Sequence, residues 1–467
     1  MQLHQNFRVP HRLRLVNQAA YEPELILIGP NHVGKEHLQD MEMTKRQCLK
    51  RIDRRKGHEI MCRCFEEIRN MEATIRQWYR VPEAFISKDD LAGLMVIDGC
   101  FIIELLCREP QDLMSKLQWS RAALFGDLLL LENQLPFFVL VKLYGLIKDS
   151  TDGTDFAPQA LDKLIRMLPG PNIATAYLST IKDTDEIHHL LGLIHDNWVP
   201  SPPGIQRYRE YVEEIKKAEA EAKEKKRQPG TWKFILCAIA ISKQKKLGQG
   251  NQESGTANKG HWKFICFSRE KAKRLGGRVG RQSIRCAREL EEAGIEFIKV
   301  DCGSDEDDSN QESYAKSLFD VEFTGGKMKI PTLVIGDNTE RLFRNLIAYE
   351  LYVQGSTYVI DYVTLMDNLV NTANDVQLLR LCGVIVNMLG DDDAVAQMLN
   401  KLRDCVTLCG ETFYYEKMFV DVKQHCARSW NTWKAKLRQQ HFVADLSIGQ
   451  LDLKAKRGCV HYGDNVA

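Results

Sequence analysis

Two long apolar stretches limit what this chain can fold into, because both carry polar side chains in their interiors. The stretches cover residues 91–106 and 127–147. A carboxylate in a dry interior is strongly disfavoured, so it must be paired, hydrogen-bonded, protonated or exposed to solvent. The acidic and amide side chains to which this applies are Asp98, Glu104, Asp127, Glu132, Asn133 and Gln134.

Two hypotheses account for these polar groups. The first is a structural polar network that ties helices together, with Arg344 as a member and Arg12 and Arg14 as further available cations. The second is an enzyme in which Asp98 and Glu132 meet in a cleft and act as acid and base. Neither their spacing nor a nearby nucleophile specifies a reaction. The sequence therefore assigns no catalytic residue and favours the structural network.

Composition restricts the class of protein. The chain has 467 residues, of which 44% are hydrophobic and 27% are charged, as in folded globular domains. Its 64 basic and 63 acidic residues nearly cancel, and no aromatic-interleaved basic motif occurs, so no nucleic-acid partner is expected. The longest nearly uninterrupted apolar runs, residues 128–141 and 234–241, fall short of the ~18–20 residues that cross a bilayer. We therefore expect no direct membrane span.

Cysteine usage indicates the compartment. The fourteen cysteines are scattered without regular spacing, and no apolar secretory leader is expected in the first residues. This pattern favours reduced thiols over a disulfide framework. We expect the protein to be cytoplasmic or peripheral to a membrane.

Helical patterns dominate the N-terminal half. Ser87 is a predicted N-cap of a buried helix over roughly residues 90–107. Residues 127–147 place apolar side chains broadly on one helical face, which Pro136 is expected to kink or divide. Residues 205–226 are dominated by Glu, Lys and Ala and predict a solvated helix.

The C-terminal half adds one β signal. Two apolar-alternating runs in residues 319–334 flank a Gly-Gly turn and predict a hairpin. Asn338 or Thr339 is expected to start a helix, and a further helix is predicted to run from the acidic residues 391–393 to Cys409. A last helix should end near Phe442. The predicted fold class is mainly α, a multi-helix globular fold with a minor β-hairpin component.

Changes in composition suggest five regions along the chain. A polar, glycine-rich stretch over residues 242–260 predicts a flexible insertion. The regions are an N-terminal segment (1–20), an N-terminal helical lobe (21–204), a charged helix with the flexible insertion (205–275), a C-terminal lobe with the hairpin and helices (276–442) and a polar tail (443–467).

A third functional hypothesis is nucleotide binding at residues 29–35. This loop matches the phosphate-binding pattern G-x-x-x-x-G-K, which makes Gly29, Gly34 and Lys35 the candidate ligand-binding residues. Glu36 stands where a Ser or Thr hydroxyl would join the Mg²⁺ shell, and its carboxylate opposes phosphate binding. The alternative is a turn at Gly29-Pro30 and a second break at Gly34 before a helix.

Metal sites are not predicted. The Cys62/Cys64 pair, the Cys405/Cys409 pair and the His188-His189 dipeptide lack the spacing of a closed zinc site. The acidic residues 301–308 depart from the calcium-loop pattern, because Asn310 stands where the invariant glycine belongs. We expect neither a metal nor a cofactor.

Several segments together resemble the plant family called domain of unknown function 247. The two most distinctive are VIDGCFIIELL at residues 96–106 and DLLLLENQLPFFVL at residues 127–140. The resemblance covers roughly residues 8–442. The other matching segments are residues 9–14, 21–23, 28–34, 41–46, 287–295, 330–331, 339–350 and 430–433.

This resemblance implies a plant protein without an established enzymatic activity. Some members of the family are implicated in pollen self-incompatibility and other recognition processes, and many carry a C-terminal membrane-spanning helix. Residues 443–467 are instead polar and charged, so that anchor is not expected here. The resemblance favours a recognition, signalling or scaffold protein that acts through unidentified protein partners, with its oligomeric state left open.

Overall fold

A computed structural model describes most of the chain. The described residues are 7–31, 38–82, 84–108, 120–149, 155–169, 186–227, 283–300, 317–353, 357–406 and 413–428. The chain divides into two units. One comprises residues 1–200, 284–408 and 418–467, and the other comprises residues 201–283 and 409–417. The glycine-rich stretch 242–260, the acidic residues 301–308 and the polar tail lie outside the described residues.

The N-terminal half of the first unit is a succession of helices. They are α1 (His11–Arg14), α2 (Asp40–Lys56), α3 (His58–Asn70), α4 (Glu72–Tyr79), α5 (Lys88–Ile103), α6 (Arg121–Leu128), α7 (Phe137–Ile147), α8 (Phe156–Ile165) and α9 (Leu190–Asn197). A π-helical turn, Glu104–Arg108, follows α5 directly.

Helix α5 is the central element of this half and packs against α2, α3 and α7. Its predicted N-cap is confirmed, because Ser87 Oγ accepts the backbone N–H of Asp90 at 3.2 Å. Gly99 allows a close approach to α7, since a Cβ atom there would lie 2.4 Å from Leu143 Cδ1. Apolar side chains on most sides of α5 are buried, so this helix forms the interior of the lobe.

The second apolar stretch does not form one helix with a kink. Helix α6 ends at Leu128 and α7 begins after Pro136, so the expectation of a single helical face through Leu131 and Leu135 is wrong. Side-chain amides compete for the backbone at this point. Gln134 Nε2 donates to the carbonyls of Leu128 and Leu130 at 2.7 and 2.8 Å, and thereby satisfies groups that a continuing helix would use.

The second unit contains α10 (Pro202–Arg227). This helix confirms the one predicted over residues 205–226. Near its start, the ring of Tyr208 lies 5.2 Å from that of Tyr414. Aromatic packing of this kind holds the two chain segments of the unit together.

Short strands follow in the first unit, after α11 (Ala287–Glu292). The predicted hairpin is confirmed: β2 (Glu322–Thr324) pairs antiparallel with β3 (Lys327–Pro331). Its turn residues Gly325 and Gly326 have φ of 61° and 87°, which glycine adopts readily.

The hairpin is only part of the β-structure, and the sequence patterns missed the rest. Strand β1 (Glu296–Val300) pairs parallel with β3. The second predicted run divides in two, because β4 (Leu333–Ile335) leaves the hairpin and pairs parallel with β5 (Ile385–Asn387). Parallel partners lie far apart in the chain, so local patterns do not reveal them.

The C-terminal helices are α12 (Thr339–Glu350), α13 (Tyr358–Leu369), α14 (Ala373–Leu381) and α15 (Asp392–Leu402). Helix α12 starts where predicted, with Asn338 at its N-cap position. Helix α15 starts after Asp391 as predicted but ends at Leu402, and Cys405 has a φ of 64° that breaks the pattern. Cys409 lies outside the described residues. Residues 416–428 are helical, and the predicted end of that helix near Phe442 also lies outside them.

The fold is mainly α-helical with a few short strands, as the sequence predicts. In the part of the chain that the structure describes, no helix is both long and apolar enough to cross a membrane.

Candidate functional site

Three polar side chains of the two apolar stretches, Asp98, Asp127 and Asn133, bind one segment of the chain, residues 22–29, which has no helix or strand of its own. Backbone N–H and C=O groups in such a segment need partners when they are buried. The carboxylate of Asp127, at the end of α6, accepts hydrogen bonds from three of these N–H groups. Its Oδ1 accepts the N–H of Glu24 at 3.0 Å, and its Oδ2 accepts those of Leu25 and Ile26 at 2.7 Å each.

Asn133 holds the middle of the 22–29 segment. Its Oδ1 accepts the N–H of Ile28 at 2.8 Å, and its Nδ2 donates to the carbonyl of Ile26 at 3.0 Å. The same Nδ2 donates to the carbonyl of Asp127 at 3.0 Å. One amide side chain therefore joins the segment to the end of α6.

Asp98 of α5 holds the end of the segment. Its Oδ2 accepts the N–H of Gly29 at 2.8 Å. Gly29 has a φ of 71°, and a Cβ atom there would lie 2.6 Å from Tyr79 Oη. Both the backbone conformation and the available space therefore require glycine at this position.

Lys45 of α2 is the cation that faces Asp98. Its Nζ lies 2.6 Å from Asp98 Oδ1 and donates to the carbonyl of Leu27 at 2.8 Å. Burial raises the pKa of Asp98 to about 6, although Lys45 and the N–H of Gly29 act against that shift. Burial also disfavours the Lys45 cation, but Asp98 and Glu42 together raise its pKa above the ordinary value. Each member of the pair therefore favours the charged form of the other, against the effect of burial.

Helix α12 contributes the cation at Asp127. Arg341 Nη2 lies 2.6 Å from Asp127 Oδ1 and also donates to the carbonyl of Glu22. One turn further along, Asn345 Nδ2 donates to the carbonyl of Ala20 at 2.9 Å, and its Oδ1 accepts the N–H of Leu131 at 2.9 Å. Helix α12 of the C-terminal half thus binds the backbone of the N-terminal segment at Ala20 and Glu22.

Glu132 is held by residues from the start of the described chain. It accepts the N–H of Val9 at 2.7 Å and the Nη2 of Arg14, and Arg8 lies 3.8 Å away. Glu104 has different partners: Arg55 Nη2 lies 2.7 Å and Arg108 Nε 3.5 Å from its Oε1. Each of these carboxylates therefore has an arginine beside it.

Arg344, a predicted member of the polar network, contacts groups outside the two apolar stretches. Its Nε is 2.7 Å from Glu340 Oε1, and its Nη2 donates to the carbonyl of Lys401 at 3.2 Å. Among the cations that the sequence offered, Arg14 is the one that contacts a carboxylate of the two apolar stretches. Lys45, Arg55 and Arg341 were missed.

A signal for two of the missed residues was present. Lys45 stands on the apolar face of α2 between Met41 and Cys48, which are both buried. A cation at such a position needs a buried partner. In the same way, Arg341 and Asn345 are four residues apart on the buried surface of α12.

The carboxylates of Asp98 and Asp127 accept hydrogen bonds from groups within the protein. Both oxygens of Asp98 and of Asp127 accept hydrogen bonds from the backbone or from a buried cation. Gly29 is one of the nucleotide-binding candidates, and its N–H already donates to the carboxylate of Asp98. Gly34 and Lys35 lie outside the described residues. Within the described ranges, no group of three or more His, Cys, Asp or Glu side chains is arranged to hold a metal ion.

A groove of about 370 Å³ lies elsewhere on the first unit. Its walls are mostly apolar and come from α6, the residues after α8, strand β4 and the start of α12. The apolar side chains that line it are Phe125, Leu129, Met167, Leu168, Val334 and Leu342.

Comparison with known proteins assigns a family. The family model described as a plant protein of unknown function, domain of unknown function 247, matches residues 7–450. The chain belongs to this family. The resemblance in its sequence segments is thereby confirmed.

Two proteins from Arabidopsis thaliana are similar to this chain over most of its length. "UPF0481 protein At3g47200" is 25% identical over 93% of this chain and 80% of its own length. "Putative UPF0481 protein At3g02645" is 24% identical over 91% of this chain and 82% of its own length. No solved structure matches the chain.

Proposed function

We propose that this chain is a non-enzymatic recognition or scaffold protein that acts through protein partners. The observation that supports this function most directly is an apolar surface on the two-stranded sheet of the first unit. Val334 of β4 and Val386 of β5 are directly paired across this sheet, and each is 39% exposed. Met388, two residues after Val386, is 69% exposed.

The exposed sheet surface is continuous with the groove. Val334 belongs to both, and Gly336 of the groove lies under Met388, whose Cβ is 3.9 Å from the position of a Cβ at Gly336. Met167, on the groove wall, is 38% exposed. We name the set Met167, Val334, Val386 and Met388 the apolar surface. Contiguous exposed apolar side chains beside a groove are typical of protein interaction sites.

Arg166, Asp337 and Asn338 also line the groove, so polar groups stand beside its apolar side chains. Protein interfaces usually combine an apolar centre with polar groups around it. The partner that fits such a surface is a protein segment that presents aliphatic or aromatic anchor side chains, since buried anchors of that kind carry most of the binding energy.

The arrangement of the carboxylates supports the non-enzymatic part of the proposal. A general acid or base needs access to a substrate proton. Asp98 and Asp127 are fully buried, and both are occupied by internal donors. We propose that Asp98, Asp127 and Asn133 stabilise the 22–29 segment, and that Glu132 and Gln134 have the same structural role towards residues 9–14 and the end of α6.

Proximity labelling in plant tissue tests this function. The full chain is compared with a Val386→Glu/Met388→Glu variant, which places two charges on the apolar surface. Met43→Glu is the matched control, because Met43 is also an exposed methionine (64%) but lies on α2. We expect a reproducible set of labelled proteins that the double variant loses and the control retains.

Two results contradict the proposal. One is the recovery of the same proteins by the wild type and the double variant, and the other is the recovery of no reproducible partner. Thermal unfolding of both variants should match the wild type, because all of the substituted side chains are exposed.

A further inference from the structure

Asp53, His58 and Cys62 form a chain of polar side chains at the junction of α2 and α3. His58 Nδ1 lies 3.4 Å from Asp53 Oδ1, and His58 Nε2 lies 3.5 Å from Cys62 Sγ. His58 and Cys62 are four residues apart on α3 and share one face of that helix. Asp53 reaches the imidazole from the last turns of α2.

This order of groups is that of an activated nucleophile. In the tautomer that carries its proton on Nδ1, His58 donates to the carboxylate of Asp53, which leaves Nε2 as the hydrogen-bond acceptor. Nε2 then faces the thiol of Cys62. A thiol beside a base that is itself oriented by a third group is the arrangement that makes a nucleophile reactive.

The site is open to solvent, which favours a small reagent over an enclosed substrate. Cys62 is exposed, and His58 is 85% exposed. Three exposed cations are close to these groups in the chain: Lys50 and Arg54 on α2, and Arg63 next to Cys62 on α3.

Acidic groups also lie near the thiol. Glu59 and Glu66 on α3 are exposed, and Asp53 is occupied with the imidazole. Residues 50–66 contain six Lys and Arg side chains against three Asp and Glu, and Arg55 and Lys56 are paired with Glu104 and Asp149 outside this range, which leaves an excess of one positive charge. The local field therefore favours the approach of an anion.

We propose that Cys62 is a site of thiol–disulfide exchange with an anionic low-molecular-weight disulfide. His58 Nε2 takes the proton from Cys62 Sγ, and the thiolate attacks one sulfur of the disulfide. The bond between the two reagent sulfurs breaks, a new bond joins Cys62 to one of them, and the departing thiolate takes the proton from His58. Cys62 is oxidised, and half of the reagent is reduced to a thiol.

Neighbouring thiols differ from Cys62 in access. Cys64 and Cys100 are buried, and burial raises the pKa of the Cys64 thiol to about 11 and that of Cys100 well above its ordinary value. A buried thiol of this kind is unreactive at neutral pH. Cys405 is exposed but makes no hydrogen bond to a histidine within the described ranges, which makes it an internal standard.

The test uses the reduced full chain and oxidised glutathione at pH 7, with the mixed disulfide at each cysteine quantified by mass spectrometry over time. Cys62 should react several-fold faster than Cys405. His58→Ala should slow the reaction at Cys62 by about tenfold, less than the ~10²–10⁴-fold of an enclosed acid–base pair because water reaches this site. Asp53→Ala should slow it less, and His11→Ala, which removes an exposed histidine elsewhere, should leave it unchanged.

The pH profile separates base assistance from an effect on structure. The difference between the wild type and His58→Ala should close above about pH 9, where free thiols ionise without a base. Equal rates at Cys62 in these two proteins at pH 7 would overturn the proposal. So would faster modification of Cys405 than of Cys62.

Discussion

Lys45 and Asp98 form an ion pair in which neither side chain has any exposed surface, with Lys45 Nζ 2.6 Å from Asp98 Oδ1. The pair joins α2 to α5, and each member also binds the backbone of the 22–29 segment. Removal of Lys45 would leave the buried carboxylate of Asp98 without the cation that faces it, whereas Lys45 also has Glu42 beside it. The two residues should therefore be strongly coupled.

Lys45→Met should destabilise the protein by about 3–5 kcal/mol, the usual effect of leaving a buried charge unpaired. The double variant Lys45→Met/Asp98→Asn should recover part of this loss, because it removes both charges. Urea unfolding of the wild type, both single variants and the double variant measures the coupling. Additive effects of the two single substitutions would contradict the proposed pairing.

Asp127→Asn should destabilise the protein and release the 22–29 segment. The substitution removes the charge that faces Arg341 and one of the oxygens that accept the N–H groups of Glu24, Leu25 and Ile26. We expect a loss of about 2–4 kcal/mol, because a buried cation and buried N–H groups lose partners.

Hydrogen exchange checks this prediction locally. In Asp127→Asn, the amides of residues 24–26 should exchange faster than in the wild type. Asp162→Asn is the matched control. It breaks a pair with Arg166, a side chain that is 63% exposed, so stability should change by less than about 1 kcal/mol. Unchanged exchange at residues 24–26 would show that Asp127 does not hold them.

How far the sequence predicts the fold depends on how local each determinant is. Ser87 caps α5 as predicted, because the capping residue and the helix it caps are adjacent in the chain. The hairpin turn at Gly325-Gly326 is likewise local. The parallel pairing of β4 with β5 joins residues about fifty positions apart, and no short-range pattern reveals it.

The candidate site shows the same division. The apolar surroundings of Asp98 and Asp127 predict that both need partners. The sequence does not say which cations reach them, since Lys45 and Arg341 come from helices distant in the chain. The apolar neighbours of residues 132–134 fit a helix and predict one through this triplet, but α6 ends at Leu128 and α7 begins at Phe137. Side-chain hydrogen bonds from Gln134 and Asn133 to backbone carbonyls end α6, and the spacing of apolar residues does not predict such bonds.

Gly29→Ala should destabilise the protein more than an ordinary glycine substitution in a turn. A methyl group there would meet both a positive φ and the hydroxyl of Tyr79. Gly294, in the turn that ends α11, is a matched control, because its φ is 85° and no atom lies within 4 Å of the added Cβ. Gly294→Ala should cost about 1 kcal/mol from backbone strain alone, and Gly29→Ala about 2–4 kcal/mol. Equal losses of stability in the two variants would rule out a steric contribution from Tyr79.

The last prediction concerns pH and the buried His195 of α9. Its Nε2 lies 3.1 Å from Glu350 Oε1, and its Nδ1 lies 3.1 Å from Asp196 Oδ1. Burial opposes the imidazolium, but these two carboxylates outweigh burial and raise the pKa of His195 to about 9. Glu350 also accepts the N–H groups of Val359 and Ile360 at 2.9 and 2.8 Å, so the pair joins α9 and α12 to the start of α13.

Because the pKa of His195 is higher in the folded protein than the ~6.5 of an unfolded chain, the folded state binds the proton more tightly. The resulting stability is fully present below about pH 6.5 and is lost as pH rises towards 9, by about 3 kcal/mol in all. Burial lowers the pKa of the neighbouring His189. The titration of His189 therefore changes the stability of the protein below pH 6.5, outside the range in which His195 acts. Urea unfolding between pH 6 and 9.5 should show this decline in the wild type and a flatter profile in His195→Gln. Parallel profiles for the two proteins would mean that His195 does not carry the proton, and that Glu350 holds the start of α13 without it.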